Sequence, residues 1–319
     1  MSRTRPAGEG EALARPFFGN GPCATRLVLA LALCAAGAQA QPAPLLVAGS
    51  AIAVEDSSGR IVSLGAAAER IVSFSPGAAE VLFAVGAGDR LVGRSLGCDY
   101  PAEALAIPVI GGSDGESAAF RSAEALSPDL VIEDSTGGAS RPESPAKEGF
   151  AVFIYAPRDF RGLAEAMMAL GSLAGKQKEG IVAAARLTKA YRSVASIAEG
   201  IATSLHPKVL WLSGGDRNPA TCGSDSFFHA LIAAAGGRDI FSDYAGVSPP
   251  VILAEAADRA PEAIISIDGG DSPDSLSRTP AARRGRLYRL EPGLGTRVGP
   301  RSATALLFVA RFLHPDIFP

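Results

Sequence analysis

The chain repeats one arrangement of strand, loop and helix, and this internal repeat constrains its fold more than any other feature. The first half contains RIVSFSPGAAEVLFAVGAGDRLVG at residues 70–93 and ALSPDLVIED at 125–134. The second half contains KVLWLSGG at 208–215, SDSFFHALIAAAGGRDIFSD at 224–243 and DRAPEAIISID at 258–268. Each half runs from an apolar strand through a small-residue loop and a glycine-terminated helix to a Pro–acid pair before another strand. We therefore expect two similar α/β lobes, with a small-molecule site in the cleft between them.

The first forty residues carry the pattern of a secretory signal peptide. An apolar run at residues 27–36 follows an arginine, and the small residues Ala38-Gln39-Ala40 come next. The run is too short to span a membrane, and such a triplet is typical of a cleavage site. We expect residues 1–40 to be removed and the mature protein, residues 41–319, to reside in the periplasm.

Composition argues against several classes of protein. The predicted leader carries four Arg and two Glu, so its removal changes the net charge from −3 to −5. An acidic exported chain lacks the basic face that nucleic-acid binding needs. Leu33 precedes Cys34, where lipid attachment would need a small residue. The mature chain keeps only Cys98 and Cys222, too few for a disulfide-rich scaffold.

Apolar runs predict short strands that alternate with helices. Residues 51–64 alternate apolar and polar around Ser-Ser-Gly, which predicts a β-hairpin. A strand at 70–74 leads into a helix with Ser75 as its N-cap and Pro76 in its first turn. This alternation favours a parallel sheet with helices on both faces. Further strands are predicted near residues 91–92, 109–110, 130–132 and 152–154, and a helix over 160–173.

One long amphipathic helix is predicted over residues 177–205. At ~1.5 Å per residue it would span roughly 40 Å, about the size of a lobe. We expect it to join the lobes as a rigid connection, the alternative being an ordinary surface helix of one large domain. The predicted fold is therefore α/β, with two Rossmann-like αβα lobes (residues 41–175, including the hairpin, and 207–319) joined by a single long α-helix (residues 176–206). The residues predicted on the buried face of this long helix are Ile181, Ala184, Thr188, Tyr191, Val194, Ala198 and Ile201.

Several motifs together carry a family resemblance. The hairpin and residues 70–93, then CDYP at 98–101 and SPDLVIE at 127–133, are followed by NPATCGSDSFFHALIAAAGGRDIF at 218–241 and TRVGPRSATALLFVARFLHPDIF at 296–318. In this order they resemble the bacterial periplasmic binding proteins that feed cobalamin, ferric-siderophore and haem ABC importers. The resemblance implies a monomeric, non-enzymatic receptor without a cofactor, which captures a metal chelate and delivers it to an inner-membrane permease with a cytoplasmic ATPase.

The resemblance leaves the chelate open among a corrinoid, a ferric siderophore and haem. CDYP is most similar to the cobalamin-type members, so a corrinoid is our first choice. Many members place aromatic rings against their planar ligand, whereas loops 111–117 and 246–250 of this chain contain none. Trp211 lies within an apolar strand, where we expect it in the core.

Ligand-binding residues are expected on the loops that follow strands, because parallel sheets bind ligands at the carboxyl ends of their strands. The helix N-termini at Ser75 and Ser224 would offer free N–H groups. Arg217 and Arg297 could clamp an acidic oxygen. The alternative for each residue is ordinary loop capping. The candidates are Ser75, Pro76, Cys98, Asp99, Tyr100, Ser113, Asp114, Tyr155, Arg217, Asn218, Thr221, Cys222, Ser224, Tyr244, Ser248 and Arg297.

Two glutamates are candidates for docking to the permease. Members of this class tend to expose one glutamate near the top of each lobe, where it meets permease arginines. Glu124 and Glu255 lie near the corresponding places, although Arg121 occupies one expected position. The alternative is that both are solvated helix charges, which contribute little.

Three interpretations of Cys98 and Cys222 are open. The resemblance places both on loops that face the cleft from opposite sides. In the first, they are two separate thiols packed within their loops. In the second, they are soft ligands for the metal of the chelate. In the third, they form a disulfide across the cleft that acts as a redox gate. A bridge requires Cα atoms within ~7 Å.

The alternative function is a secreted serine hydrolase. GGSDG at residues 111–115 fits a nucleophile elbow with Ser113 as nucleophile, and Asp268 and His314 follow in the required order. No HGGG-type oxyanion segment precedes it, and His314 lies in LHPD near the end of the chain. A protein site for a bare metal ion is not expected either, because the chain has three histidines and no converging set of ligands.

Overall fold

Two parallel sheets and an N-terminal hairpin organise the chain. A computed structural model describes residues 51–110, 122–136, 150–214, 218–267 and 274–318. The predicted hairpin is present as antiparallel strands β1 (Ile52–Glu55) and β2 (Ile61–Leu64). The predicted signal peptide lies outside the described residues.

The first sheet has four parallel strands in the order β4-β3-β5-β6. Helix α1 (Pro76–Ala84) connects β3 to β4, and Ser75 caps it as predicted, with its Oγ accepting a hydrogen bond from the Ala78 N–H at 3.3 Å. The strand predicted near 109–110 is only an isolated bridge between Val109 and Arg94. The strands are β3 (Ile71–Ser73), β4 (Leu91–Arg94), β5 (Leu130–Asp134) and β6 (Ala151–Tyr155).

The second sheet repeats this parallel design in the order β10-β9-β7-β8. Loops and helices connect the strands of both sheets. Each strand therefore ends, at its carboxyl end, in a connecting loop. Its strands are β7 (Lys208–Leu212), β8 (Arg238–Asp239), β9 (Ala263–Ser266) and β10 (Leu287–Arg289). Its helices are α4 (Phe227–Ala234), α5 (Leu253–Asp258), α6 (Pro280–Arg283), α7 (Pro292–Gly295) and α8 (Ser302–Leu313).

The long helix between the sheets is shorter than predicted. Helix α2 (Phe160–Leu173) completes the first group of elements, and α3 (Gln177–Glu199) follows it. The 23 residues of α3 span about 35 Å at ~1.5 Å per residue. The chain then forms a separate 3₁₀ turn, Thr203–Leu205, so the helix does not extend to residue 205. We call the elements up to α2 the first lobe and those from β7 onward the second lobe.

The buried face of α3 also differs from the predicted one at its start. Ile181 is exposed, whereas Gly180 and Ala183 are buried. A Cβ atom on Gly171 of α2 would lie 2.8 Å from the Gly180 Cα, so the two helices approach each other through glycines. This close approach turns small residues toward α2 and leaves Ile181 in solvent.

One hydrophobic core runs through both lobes. It includes buried residues of α1, α2, α3, α4, α8 and strands of both sheets. The Phe160 ring of the first lobe lies 4.7 Å from the Tyr191 ring of α3 and 4.9 Å from the Phe227 ring of the second lobe, between ring centroids. Ala43–Pro319 accordingly forms one compact unit. Within the described part of the chain, every helix is too short or too polar to cross a bilayer.

Candidate ligand-binding cleft

Loops at the carboxyl ends of β3 and β5 are tied together by a carboxylate. The Ser75 Oγ donates to the Asp134 Oδ2 at 2.7 Å, and the Thr136 N–H donates to the Asp134 Oδ1 at 2.7 Å. The Thr136 hydroxyl also bonds to that oxygen. Ser75 is fully buried and already caps α1, so its hydroxyl supports the loop. Pro76 stands at the first position of the same helix.

The loop after β4 buries one predicted residue and exposes the next two. Cys98 has no exposed surface, and its Sγ lies 3.2 Å from the Ser95 Oγ. Burial raises the pKa of the Cys98 thiol. Asp99 and Tyr100 point outward, with the Asp99 side chain 49% exposed and Tyr100 44% exposed. These two side chains are therefore the accessible part of the CDYP motif.

Two arginines of the second lobe meet these side chains. The Arg297 Nη1 donates to the Asp99 Oδ1 at 2.5 Å, and this hydrogen bond lowers the pKa of Asp99 below its ordinary value. The Arg301 guanidinium carbon lies 3.9 Å from the centroid of the Tyr100 ring. Arg301 also bonds to both carboxylate oxygens of Glu80 in α1, at 2.6 and 3.0 Å. Residues 198 to 221 positions apart thus form one contact between the lobes.

A neutral hydrogen bond joins the lobes beside these ion pairs. The Tyr155 hydroxyl donates to the Val298 carbonyl oxygen at 2.8 Å, and Tyr155 is fully buried. Burial raises the pKa of Tyr155 far above its ordinary value. A Cβ atom on Gly77 would lie 1.9 Å from the same carbonyl oxygen, so α1 packs directly against the backbone of the second lobe. Tyr155 closes this interface and has no surface with which to contact a ligand.

An open cavity of about 570 Å³ lies between the lobes. The first lobe contributes Arg158, just after β6, and the Arg158 Nη1 donates to the Asp225 carbonyl oxygen at 3.2 Å. Ligand pockets typically enclose roughly 300–1,000 Å³, so the volume suits a small molecule or one end of a larger one. The second lobe contributes Ser224, Asp225, Ala245, Gly246, Val247, Ser248 and Pro249.

The second-lobe wall of this cavity is made of two segments held together through their backbones. The prediction of a helix N-terminus with free N–H groups at Ser224 is wrong, because the helix begins at Phe227 with Ser226 as its cap, and the Ser224 N–H donates to the Tyr244 carbonyl at 2.8 Å. The Thr221 N–H donates to the Pro249 carbonyl at 3.0 Å. A Cβ atom on Gly223 would lie 2.4 Å from the Gly246 carbonyl oxygen. Only glycine allows this approach, which fixes Ser224 at the rim.

A family profile described as periplasmic binding protein matches residues 71–293. The chain belongs to the periplasmic binding protein family. It is 23% identical over 84% of its length to an uncharacterized ABC transporter substrate-binding lipoprotein of Bacillus subtilis, covering 87% of that protein. It is 27% identical over 75% of its length to the vitamin B12-binding protein of Photorhabdus laumondii, covering 86% of it. The apo periplasmic haem-binding protein of Roseiflexus sp. RS-1 superposes with a TM-score of 0.66 at 25% identity, over 78% of this chain and 99% of that one.

Membership of this family shows that the protein is a binding protein and not an enzyme. Periplasmic binding proteins of this kind bind and do not catalyse, so the prediction of a non-enzymatic protein is confirmed. His314, the base of the alternative serine hydrolase, is buried with its Nε2 2.9 Å from the Gly236 carbonyl oxygen. Ser113 and Asp268 lie outside the described residues.

Cys98 and Cys222 are free and buried. The predicted alternative of a disulfide across the cleft is therefore wrong. Cys222 is 2% exposed, and its Sγ lies 3.5 Å from the Asp239 Oδ2, which also accepts from His229 at 2.9 Å. Burial and the Asp239 carboxylate raise the pKa of Cys222 well above its ordinary value. The alternative of two packed thiols agrees with this geometry, since neither sulfur can reach a ligand without rearrangement.

The other predicted ligand residues divide between accessible and enclosed positions. Ser224 and Ser248 line the cavity, and Asn218 is exposed beside the second sheet. Thr221 is 1% exposed, with no hydrogen-bond partner for its hydroxyl oxygen among the described atoms. The Tyr244 hydroxyl donates to Glu255 at 2.7 Å. Ser113, Asp114 and Arg217 lie outside the described residues.

The docking candidates have different surroundings. Glu124 is half-buried in the short helical segment before β5. Glu255 accepts from the Tyr244 hydroxyl with one oxygen and from Arg259 with the other, at 2.8 Å. These hydrogen bonds lower the pKa of Glu255. Its carboxylate is thus engaged within the second lobe, and a docking role would need these bonds to be exchanged.

Sequence reasoning missed two important groups. Arg158 lines the cavity and follows the end of β6, so the strand-end rule could have identified it. Glu80 is 4% exposed, and its signal was a lone acid inside the apolar helix sequence GAAEVLFA. Within the described ranges, no group of three or more His, Cys, Asp or Glu side chains could hold a metal ion.

Proposed function

We propose that this chain is the periplasmic receptor of an ABC importer that captures a metal chelate, a corrinoid in the first place, between its two lobes. The observation that carries the proposal is a cavity lined by second-lobe loops and by Arg158 of the first lobe, beyond the carboxyl ends of strands in both parallel sheets. Relatives named as ABC transporter substrate-binding, vitamin B12-binding and haem-binding proteins support the class of ligand.

The chemistry of the cavity favours a corrinoid over haem. Its described walls present the Ser224 and Ser248 hydroxyls, loop backbone, and one arginine beside one aspartate. These neutral or balanced groups suit the amide side chains of a corrin ring, which both donate and accept hydrogen bonds. Haem carries two carboxylates, for which Arg158 is the single cationic partner among the described lining residues. A corrinoid is larger than this cavity, so we expect the cavity to receive one edge of it.

The way the lobes are joined limits how far they can move when the chelate is captured and delivered. The shared core and the Glu80–Arg301 and Tyr155–Val298 contacts leave little freedom for wide opening. We expect modest closure around the ligand, followed by docking of the strand-end face on an inner-membrane permease powered by a cytoplasmic ATPase. Glu124 and Glu255 are our docking candidates, and we place the lobe boundaries at residues 175 and 207. We expect export to be accompanied by cleavage after Ala40.

A titration of the mature protein tests this function. Cyanocobalamin, haemin and a ferric hydroxamate siderophore are added separately in a calorimeter, and we expect saturable 1:1 binding of cyanocobalamin. Arg158→Gln should weaken binding by about tenfold to a hundredfold if the guanidinium contacts ligand amides, since a hydrogen bond to a charged group contributes roughly 1.5–3 kcal/mol.

Arg161→Gln is the matched control for this titration. Arg161 has an 82% exposed side chain, pairs with Glu165 on the same helix and lies outside the cavity wall. Its removal should leave affinity unchanged. Absence of saturable binding for all three chelates would contradict the proposal. Tighter binding of haemin than of cyanocobalamin would identify haem, instead of a corrinoid, as the ligand.

A further inference from the structure

Arg301 is the most extensively held charged side chain at the contact between the lobes. It stands just before α8 in the second lobe and donates to both carboxylate oxygens of Glu80 in the first, at 2.6 and 3.0 Å. Its Nη2 lies 3.4 Å from the Gly293 carbonyl oxygen, and its Nη1 lies 3.6 Å from the Glu291 carboxylate. Two-pronged pairs of this kind fix the plane of the guanidinium group as well as its position.

The fixed guanidinium group covers the ring of Tyr100. Its carbon lies 3.9 Å from the ring centroid, which is the geometry of a stacked cation–π contact. Tyr100 nevertheless keeps 44% of its surface exposed. Its neighbour Asp99 is bound by Arg297 of the same second-lobe segment, so the second lobe restrains consecutive side chains of the CDYP loop.

From this arrangement we infer that Arg301 is a positioning residue, which presents the Tyr100 ring to the ligand in a fixed orientation. The inference rests on the proposed function, because it assigns Tyr100 a contact with the part of the chelate that extends beyond the cavity, which Tyr100 itself does not line. Glu80 contributes by holding Arg301 in place. A first-lobe ligand contact is thereby set by a second-lobe side chain, so the lobes must keep their relative position for the ring to be presented.

The chemical role of the ring follows from its surroundings. An aromatic ring with one side against a cation offers its remaining surface to the apolar face or edge of a planar macrocycle. A restrained ring also loses less conformational entropy when the ligand binds. Arg301 should therefore raise affinity without contacting the ligand itself.

The test is a double-mutant cycle on cyanocobalamin affinity, with wild type, Tyr100→Leu, Arg301→Lys and the double variant. Lysine keeps a positive charge near Glu80 but lacks the flat group that covers the ring. We expect Arg301→Lys to lower affinity about fivefold to tenfold. If Arg301 acts through Tyr100, the double variant should bind no more weakly than Tyr100→Leu alone. Independent, additive losses would overturn the inference.

Arg286→Lys is the matched control. The Arg286 guanidinium carbon lies 5.6 Å from the centroid of the Phe312 ring, and its Nη2 donates to the Phe312 and Leu313 carbonyl oxygens at 2.9 Å. These contacts lie entirely within the second lobe and involve none of the candidate ligand or docking residues. Affinity should be unchanged in this variant. If Arg301→Lys does not fold, Glu80→Gln combined with Arg301→Gln replaces it, because that pair leaves no buried carboxylate without a cation.

A ligand-free measurement separates failure of the inference from failure of the proposed function. Hydrogen exchange followed by mass spectrometry should show faster exchange of residues 96–106 in Arg301→Lys than in wild type. If wild type binds no chelate, the proposed function fails and the exchange result alone decides whether Arg301 restrains the loop. If wild type binds while Arg301→Lys keeps full affinity and unchanged exchange, the positioning role is refuted and the proposed function stands.

Discussion

Replacing Gly77 by alanine should destabilise the protein, although Gly→Ala usually stabilises a helix by ~1 kcal/mol. Gly77 lies in the first turn of α1, and an added Cβ would lie 1.9 Å from the Val298 carbonyl oxygen and 3.2 Å from the Tyr155 ring. That oxygen belongs to backbone and cannot move alone. Either α1 or the second-lobe segment must therefore shift by about an ångström.

The magnitude follows from two contributions. Forcing an extra methyl group into a close-packed interface costs about 1–3 kcal/mol. The shift also breaks the buried hydrogen bond from the Tyr155 hydroxyl to Val298, which costs about 1–3 kcal/mol if the groups are left unpaired. After subtracting the gain in helix propensity, we expect the free energy of unfolding to fall by roughly 1–5 kcal/mol.

Urea unfolding followed by the fluorescence of Trp211 measures this change. Trp211 is the single tryptophan and is 2% exposed in β7, so it reports on the second lobe. Gly65→Ala is the control, because a Cβ atom there meets nothing within 4 Å, and its effect should stay within about 0.5 kcal/mol. A Gly77→Ala protein as stable as wild type would refute the close contact between α1 and the second lobe.

Two further predictions concern the cysteines and the exposed ion pair. The mature protein should show no fast-reacting thiol when native and two when denatured without reductant. The reason is that Cys98 and Cys222 are free and buried, and the pKa of each thiol is raised. Detection of one thiol or none after denaturation would contradict this prediction. Arg297 lowers the pKa of Asp99 in the folded protein. The pair therefore contributes its full stabilisation at pH values above the ordinary aspartate pKa of 3.8. This contribution is lost as the pH falls through the lower pKa of the folded state. Asp99→Asn should therefore reduce the loss of unfolding free energy on acidification below about pH 4, and an identical acid dependence in the variant would show that the pair contributes nothing.

Much of the fold could be predicted because its signals are local. The hairpin, the Ser75 cap and the alternation of strands and helices each follow from residues within a few positions of one another. The end of α3 was harder to place, since helical spacing continues past Glu199 while the helix itself stops at Gly200. Ile181 was wrongly assigned to the buried face because the approach of Gly171 to Gly180 is a tertiary contact.

The candidate site was less predictable for the same reason. Loops follow the strands as the sequence predicts, but loop position alone could not show that Cys98 and Tyr155 are buried while Asp99 and Tyr100 are accessible. The pairing of Arg301 with Glu80 joins residues 221 positions apart, so no local pattern could show that the two side chains meet. Contacts between lobes depend on how the two sheets pack, which no pattern within one segment encodes.

Binding between the lobes is the central claim, and hydrogen exchange with and without saturating cyanocobalamin tests it most directly. The cavity draws Arg158 from one lobe and the segments around Ser224 and Ser248 from the other. We therefore predict that the ligand slows exchange in peptides from both lobes, around residues 96–106 and 155–160 and around residues 221–226 and 244–250. Slower exchange in one lobe only, or in neither, would contradict a site between the lobes.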